Sequence, residues 1–363
     1  MGTIYRSSDD GPTSKTFDIV VPPFTSNNDL IIEVEMYNHA DGKALGYYEY
    51  HANRTVTVTR NKIVPITLGA DRYTVFDYAY LEDGPSFNAD ISTILTDQIK
   101  WIKFNYDPGQ LTSRNIFPDN QWEVDGNGHS NTPTGWVELQ APNSPHKIYG
   151  YIMSNDPTTL EISSFGSHIY CHSNCSTMFQ GFSHVENLQW TTDVYFETED
   201  VTNMGHMFAG CSSLTTLPNY ASYNTTNVTN MAHMFDGCEK IRSLDLSRFN
   251  THNLIGGGMA GMFNGCSSLQ VLKLSSFTTN QITDMSNLFN GCIALGELHI
   301  DNFDMTNVTN KTNMCLNLAS TRSANWKADI WCPSDVQTAI NVPATGIGDL
   351  ARFNFHTTTR TNN

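Results

Sequence analysis

The chain has 363 residues and a formal net charge of −16, with charged residues at 15% and hydrophobic residues at 39%. That length favours two or three domains, and the apolar content is enough for a core. The acidic balance, with no run of five basic residues, argues against nucleic acid as a partner, and no stretch approaches the ~18 apolar residues of a membrane span.

Residues 1–15 read as a polar arm. They lack the basic start and apolar core of a secretory signal, and Arg6 stands where a myristoylation start needs Ser or Thr. Over 16–90 the pattern alternates through Phe17, Ile19 and Val21, then Ile32, Val34 and Met36, then Val56 and Val58, then Ile63 to Leu68, then Tyr73 and Val75. Asn27-Asn28, Asp41-Gly42 and Ala70-Asp71 punctuate it. Period-two runs with regular turns predict an antiparallel β-sandwich domain. A connector is expected from Leu81 to Asp97. Residues 91–162 then offer strands at 99–106, 121–124, 136–139, 148–153 and 160–163, with an Asn/Gly/Pro-rich loop at 125–134. This part reads as a connecting β unit or the N-terminal cap of the array that follows, because the first member of a stack has to be covered.

From 163 to 332 the sequence repeats. Met-Phe pairs or their equivalents begin at 178, 207, 234, 262, 288 and 314, so the steps are 29, 27, 28, 26 and 26. The fullest unit runs Leu-x-Leu-Ser-x-Phe-x-Thr-x-x-Val-Thr-x-Met-x-x-Met-Phe-x-Gly-Cys-x-x-Leu. Leu244, Leu246 and Phe249 fill its first part in one copy, Leu272, Leu274 and Phe277 in the next, then Leu298, Ile300 and Phe303. Leu-x-Leu places both side chains on one side of a short strand, and stacking one coil per repeat sets equivalent strands ~4.8 Å apart in a parallel ladder. Six coils make a rod roughly 30 Å long. Met-x-x-Met-Phe has the spacing of one helical turn on the opposite wall, with Met and Phe inward. The following Gly210, Gly237, Gly265 and Gly291 end that turn where positive φ is needed. Leu217-Pro218-Asn219-Tyr220 breaks the strand pattern, since proline cannot donate to a ladder. Polarity comes from Asn, Thr and Ser rather than from charge, which suits strands and turns.

The unit Asn-Val-Thr-Asn-Met-x-x-Met-Phe-x-Gly-Cys-x-x-Leu resembles the BspA-like leucine-rich repeats of bacterial surface proteins, over about half of the chain. Ile330-Trp331-Cys332-Pro333-Ser334-Asp335 resembles the strand-plus-helix cap of such arrays, which makes 333–363 a C-terminal cap and tail. Asn53 to Val58 followed by Ile63-Val64-Pro65-Ile66 resembles the N-terminal sandwich domains of fimbria-like proteins of gut bacteria. The expected fold is therefore mainly β: an N-terminal antiparallel β-sandwich, then a capped leucine-rich-repeat solenoid with short helical turns on the outer wall. The resemblance implies non-enzymatic adhesion and names no ligand.

Candidate chemistry is sparse. Cys211, Cys238, Cys266 and Cys292 share one repeat position, with Cα atoms near 5 Å apart if stacked, within disulfide range; parallel side chains disfavour the bond, and small buried core residues are the preferred reading. Cys171-His172-x-x-Cys175 with His168 offers metal ligands at a spacing that stacking also explains. His206 and His233 are equivalent, expected to be stacked, exposed and without a third ligand. Asn-x-Thr sites at Asn53, Asn224, Asn227, Asn307 and Asn310 follow from the repeat composition. No motif for catalysis, cofactor or metal is present, so no enzyme activity is expected. A ligand is expected on the outward strand face, at Asp245, Lys273 and His299, with Arg248, Ser276 and Asn302 beside them. Two functional readings follow. One is an adhesin on a bacterial cell surface that binds a protein or glycan. The other is a phage virion component, a head fibre, decoration or tail protein, that uses the same repeats on a host surface and assembles as a homo-oligomer or with other virion proteins through its N-terminal domain.

Overall fold

The structure, a computed structural model, describes residues 24–26, 30–37, 44–52, 56–58, 73–75, 78–106, 133–142, 144, 148–164, 168–190, 195–217, 223–322, 325, 327–347 and 350–360. The chain is mainly β with few helices. It divides into two compact units, Met1–Asp77 with Asn143–His146, and Tyr78–Pro142 with Lys147–Asn363. No helix among the described residues is long and apolar enough to cross a membrane.

The first unit contains β1 (Phe24–Ser26), β2 (Leu30–Tyr37), β3 (Ala44–Ala52), β4 (Val56–Val58) and β5 (Tyr73–Val75). β1 pairs with β4, and β2, β3 and β5 form a second sheet in that order, all antiparallel. The alternation at Ile32–Met36, Val56–Val58 and Tyr73–Val75 thus marks real strands. β3 escapes the alternation rule, because Tyr47-Tyr48-Glu49-Tyr50 puts aromatic rings at consecutive positions. The arm at 1–15, Phe17 to Val21, the turn pairs, Ile63 to Leu68, Asn53 and the expected strand at 121–124 lie outside the described residues.

The second unit begins inside the segment expected to belong to the sandwich. β6 (Tyr78–Tyr80) leads into α1 (Gly84–Ile94), then come β7 (Trp101–Tyr106), β8 (Pro133–Glu138), β9 (Ile148–Met153), β10 (Asp156–Ser164) and β11 (His168–Tyr170). The expected connector is therefore largely helix. Asp83 caps it by accepting a hydrogen bond from the Ser86 N–H at 2.8 Å, and Pro85 sits in its first turn. Gly84 is needed at the start: its N–H donates to the Asn174 carbonyl at 2.8 Å, and a Cβ there would lie 2.2 Å from the Ser176 oxygen. Phe87 and Ile91 are buried, and the Phe87 ring meets Phe179 edge-on at 5.5 Å. Residues 78–106 are in effect a coil preceding the first repeat. β7 runs parallel to β12 (Asn187–Trp190), and β6 and β13 (Tyr195–Glu197) flank β11, both parallel to it. β10, β9 and β8 extend the β12–β7 sheet outward.

The repeats carry β14 (Ser243–Asp245), β15 (Val271–Lys273) and β16 (Glu297–His299), and the ladder continues through β17 (Ala328–Cys332) and β18 (Phe353–Thr357). All five are parallel and adjacent in chain order. Leu244 registers with Leu272, Leu272 with Leu298, and Leu298 with Ile330. Leu246, Leu274 and Ile300 follow on the same inward side, fully buried, their N–H groups donating to Lys273, His299 and Trp331 carbonyls. Leu217 is buried at its place in the spine; Pro218, Asn219 and Tyr220 lie outside the described residues. Behind the leucines, Phe179, Phe208, Phe235, Phe263 and Phe289 stack face to face, with successive centroids 5.4, 5.6, 5.8 and 6.1 Å apart. Each buried ring contributes roughly 1.5–3 kcal/mol that a lone coil could not secure.

The opposite wall differs from expectation. Met-x-x-Met-Phe buries both Met and Phe as predicted, but it forms a hydrogen-bonded turn rather than an α-helical one. Alternate N–H groups divide their work. Met207 and Ala209 donate back three residues to Met204 and His206, while Met204, His206, Phe208 and Gly210 donate across to Asn230, Ala232, Met234 and Asp236 of the next repeat. The pattern requires left-handed backbone just before the second Met, at Thr177, His206, His233, Asn287 and Asn313, with φ between 55° and 60°. A helix cannot contain such residues. Gly210, Gly237, Gly265 and Gly291 have φ of 76°, 74°, 69° and 76° as expected. A Cβ on Gly291 would also come within 3.3 Å of the Gly265 Cα.

Polar side chains join the coils. The buried Thr198, Thr225, Thr251 and Thr279 each donate to a carbonyl of the next repeat and accept from an N–H there. Asn203 and Asn230 form an amide ladder with Asn174 at 3.1 Å per step. Asn227 and Asn307 use their amides on the Glu199 and Asn280 carbonyls, so these Asn-x-Thr sites are structural. This joining explains a chain rich in Asn and Thr and poor in charge. At the far end α2 (Ser334–Ile340) buries Val336 and Ile340, and Arg360 ties the tail back to the Phe303 carbonyl at 2.7 Å and to Asp335.

Candidate recognition surface

The strands of the five-stranded ladder share an outward column, whose members on the first four strands lie between two buried neighbours. The column is Asp245, Lys273, His299, Trp331 and His356, each the register partner of the next. The last three are aromatic. His299 stacks on Trp331 with centroids 4.2 Å apart and planes 5° apart, and Trp331 on His356 at 4.6 Å and 16°. The rung spacing of the sheet, ~4.8 Å, is close to the stacking distance of planar rings, so the backbone itself holds the stack in place.

Carboxylates border the rings on both sides. Two residues back along the strands, Glu297 Oε1 lies 2.9 Å from His299 Nε2 and Asp329 Oδ1 lies 2.8 Å from His356 Nε2. Asn354 donates to the same Asp329 oxygen at 3.0 Å. On the other flank Asp301 Oδ2 is 3.7 Å from His299 Nδ1 and accepts from the Ser275 hydroxyl at 2.8 Å. The hydrogen bonds from His356 and then Asn354 hold the Asp329 carboxyl below its ordinary range. At Asp245, burial pushes upward, but the Ser247 hydrogen bonds and the nearby Lys273 charge outweigh it and the carboxyl is lowered. The result is a flat ridge of ring edges bordered by fixed negative charge.

Of the six residues expected at a ligand face, Asp245, Lys273 and His299 do form one column on consecutive rungs. The second row is used differently. Arg248 is exposed, but the Ser276 hydroxyl donates to the Phe249 carbonyl at 2.8 Å and the Asn302 amide to the Ser275 carbonyl at 2.6 Å, so both join repeats. Sequence reasoning passed over Trp331, although Ile330-Trp331-Cys332 reproduces the inward-outward-inward order of Leu298-His299-Ile300. His356 had no such signal, because Phe355-His356-Thr357 lacks the second apolar residue.

The other candidates are structural. All eight cysteines are free and buried. The thiols of Cys211, Cys238, Cys266 and Cys292 donate to Phe179, Phe208, Phe235 and Phe263 carbonyls at 3.0–3.2 Å. Burial pushes the Cys211 thiol up to about 12, which leaves it protonated and inert. Cys175 donates to the His172 carbonyl at 3.1 Å, and the Asn174 N–H to His172 Nδ1 at 3.1 Å. Among the described residues no group of three His, Cys, Asp or Glu side chains is placed to hold a metal ion. His206 and His233 stack at 4.7 Å, half-buried rather than exposed, with His233 Nδ1 2.8 Å from Asp236. Burial, then the His233 ring, lowers the His206 pKa.

Residues 173–271 and 257–342 match a family model described as "Mycoplasma protein of unknown function, DUF285". The first segment falls in the stacked repeats, and the second runs from them through α2. No curated protein and no solved structure matches the chain.

Proposed function

We propose that this is a non-enzymatic recognition protein displayed on an outer surface, in which a capped solenoid of the leucine-rich, BspA-like type binds a protein or glycan through its strand face. In this reading the antiparallel first unit is the stalk or anchor. The observation that carries the reading is the His299–Trp331–His356 stack, three rings held in register on the outward side of a rigid ladder between fixed carboxylates. Rigid, partly exposed aromatic residues on a flat scaffold are where binding energy concentrates in interfaces. The carboxylate border favours partners that bring hydrogen-bond donors or positive charge and disfavours acidic ones.

The test is binding of the purified chain to arrays of extracellular-matrix proteins and of glycans, repeated with Trp331→Ala. The reading expects at least one ligand for the parent chain and a loss of about tenfold or more for the variant, the range of an interface hot spot. Silence on both arrays, or equal binding by a folded Trp331→Ala protein, refutes it.

A further inference from the structure

A second aromatic pair lies in the β6–β11–β13 sheet, away from the Trp331 ridge. His168 and Tyr195 are register partners there. Their rings stack with centroids 4.6 Å apart and planes 13° apart. Tyr170 continues the aromatic row, 6.4 Å from His168 at 26°. His168 Nδ1 lies 2.9 Å from Glu197 Oε1. Glu197 is two residues beyond Tyr195 on one short strand, so the two side chains emerge on the same side.

Tyr195 is 55% exposed, the highest value among the large hydrophobic residues described. It stands three residues before the buried Thr198, as Arg248 stands before Thr251 and Ser276 before Thr279, so it belongs to the column that supplies inter-repeat bonds further along. Ser276 makes such bonds; the Tyr195 hydroxyl has no hydrogen bond to a described residue. The ring lies outside the core, one face against His168 of the adjacent coil. It is a rigid aromatic face in water, backed by an imidazole, with a carboxylate fixed at its edge.

We propose that Tyr195, His168 and Glu197 form a saccharide subsite that takes one neutral pyranose unit of a glycan. The C–H face of the sugar packs on the open face of Tyr195, removing apolar surface from water on both sides. Ring hydroxyls at its rim donate to Glu197, whose position His168 already sets, so little ordering remains to oppose binding. The carboxylate and the chain's net charge of −16 exclude sialylated, uronic or sulfated sugars. The subsite is separate from the Trp331 ridge, and each can fail without the other.

The full chain is titrated calorimetrically with neutral oligosaccharides of glucose, galactose, mannose and N-acetylglucosamine, with sialyllactose as the acidic probe. A neutral oligosaccharide is expected to bind and sialyllactose not to. Tyr195→Ala weakens binding about tenfold or more, Tyr195→Trp keeps it, and Glu197→Gln weakens it severalfold. Independently of any variant, the bound oligosaccharide slows nitration of Tyr195 by tetranitromethane, followed by mass spectrometry. The proposal is overturned if no neutral oligosaccharide binds, if sialyllactose binds as well, if a folded Tyr195→Ala protein binds normally, or if nitration is unaffected.

Discussion

Thr225→Val replaces a hydroxyl by a methyl of nearly the same size in the middle of the stack. Thr225 is 2% exposed. Its hydroxyl donates to the Asn250 carbonyl at 2.9 Å and accepts from the Asn250 N–H at 2.7 Å. The substitution keeps the packing and strips both bonds, leaving a donor and an acceptor of the next coil unpaired. Each such group costs about 1–3 kcal/mol when water cannot reach it, so the expected loss for the two is about 2–6 kcal/mol. For a unit of this size that is a fall in melting temperature of roughly 4–12 °C. Thr225→Ser is the control. It keeps the oxygen, loses one methyl group and costs about 1 kcal/mol. Thermal melts followed by circular dichroism on the three proteins decide the matter. If the Val variant melts with the parent or above the Ser variant, the threonine column is not what joins the coils, and the account of the unusual composition is wrong.

Glu82 has one carboxyl oxygen buried without a hydrogen-bond partner among the described residues. Burial first, then the charges of Asp90 and Asp83, raise its pKa from 4.5 to about 7. A folded-state pKa above the unfolded one means that stability is present below pH 4.5 and is lost as pH rises through 7. With the group still partly open to solvent, the cost at pH 8 is about 1 kcal/mol rather than the full linkage value. Glu82→Gln is accordingly expected to be the more stable protein at pH 8 in urea melts, with the gap closing by pH 5; an equal gap at both pH values contradicts the assignment. The eight thiols are expected to resist iodoacetamide in the native state and to react fully in denaturant, and rapid native labelling of Cys238 or Cys266 would mean that the coils open locally. Gly291→Ala meets positive φ and the Gly265 backbone at once, so a loss of at least about 1 kcal/mol is expected in the same melts.

The ladder was legible because its cause is local and repeated: Leu-x-Leu at a fixed interval admits one arrangement in which every coil buries its leucines. The wall was less so. Met-x-x-Met-Phe fits a helical turn and a hydrogen-bonded turn equally, and the difference lies in one residue before the second Met. That column reads Thr, His, His, Gly, Asn, Asn from Thr177 to Asn313. His, Asn and Gly are residues enriched in left-handed backbone, so the signal was present, carried by residue type rather than spacing. α1 was hidden for a related reason. Asp83-Gly84-Pro85-Ser86 resembles a loop, although Asp followed by Pro inside the first turn is also how helices start. At the recognition surface, His299 could be placed by counting from Leu298, but Trp331 sat in what looked like a cap. Tyr195 precedes a Phe196-Glu197-Thr198 that keeps the Phe-x-Thr frame, yet its copy lacks the regular Leu-x-Leu spacing that located the outward positions. Trp331 is found when register, rather than motif, defines equivalence.

Register also separates what the fold constrains from what it leaves free. Inward columns hold Leu, Ile, Phe, Met and Cys on every rung, because each methylene is packed against the coils above and below. The outward column reads Asp245, Lys273, His299, Trp331, His356, four residue types on five rungs of one sheet. A strand places no steric demand on its solvent side, so this column can change its chemistry rung by rung without cost to the stack. The same independence makes the binding experiments interpretable. Trp331 projects outward between buried Ile330 and Cys332, and Tyr195 projects beside buried Phe196. Their removal leaves the inward neighbours and the ladder hydrogen bonds in place, so a loss of binding in a variant that melts like its parent belongs to the surface and not to the fold.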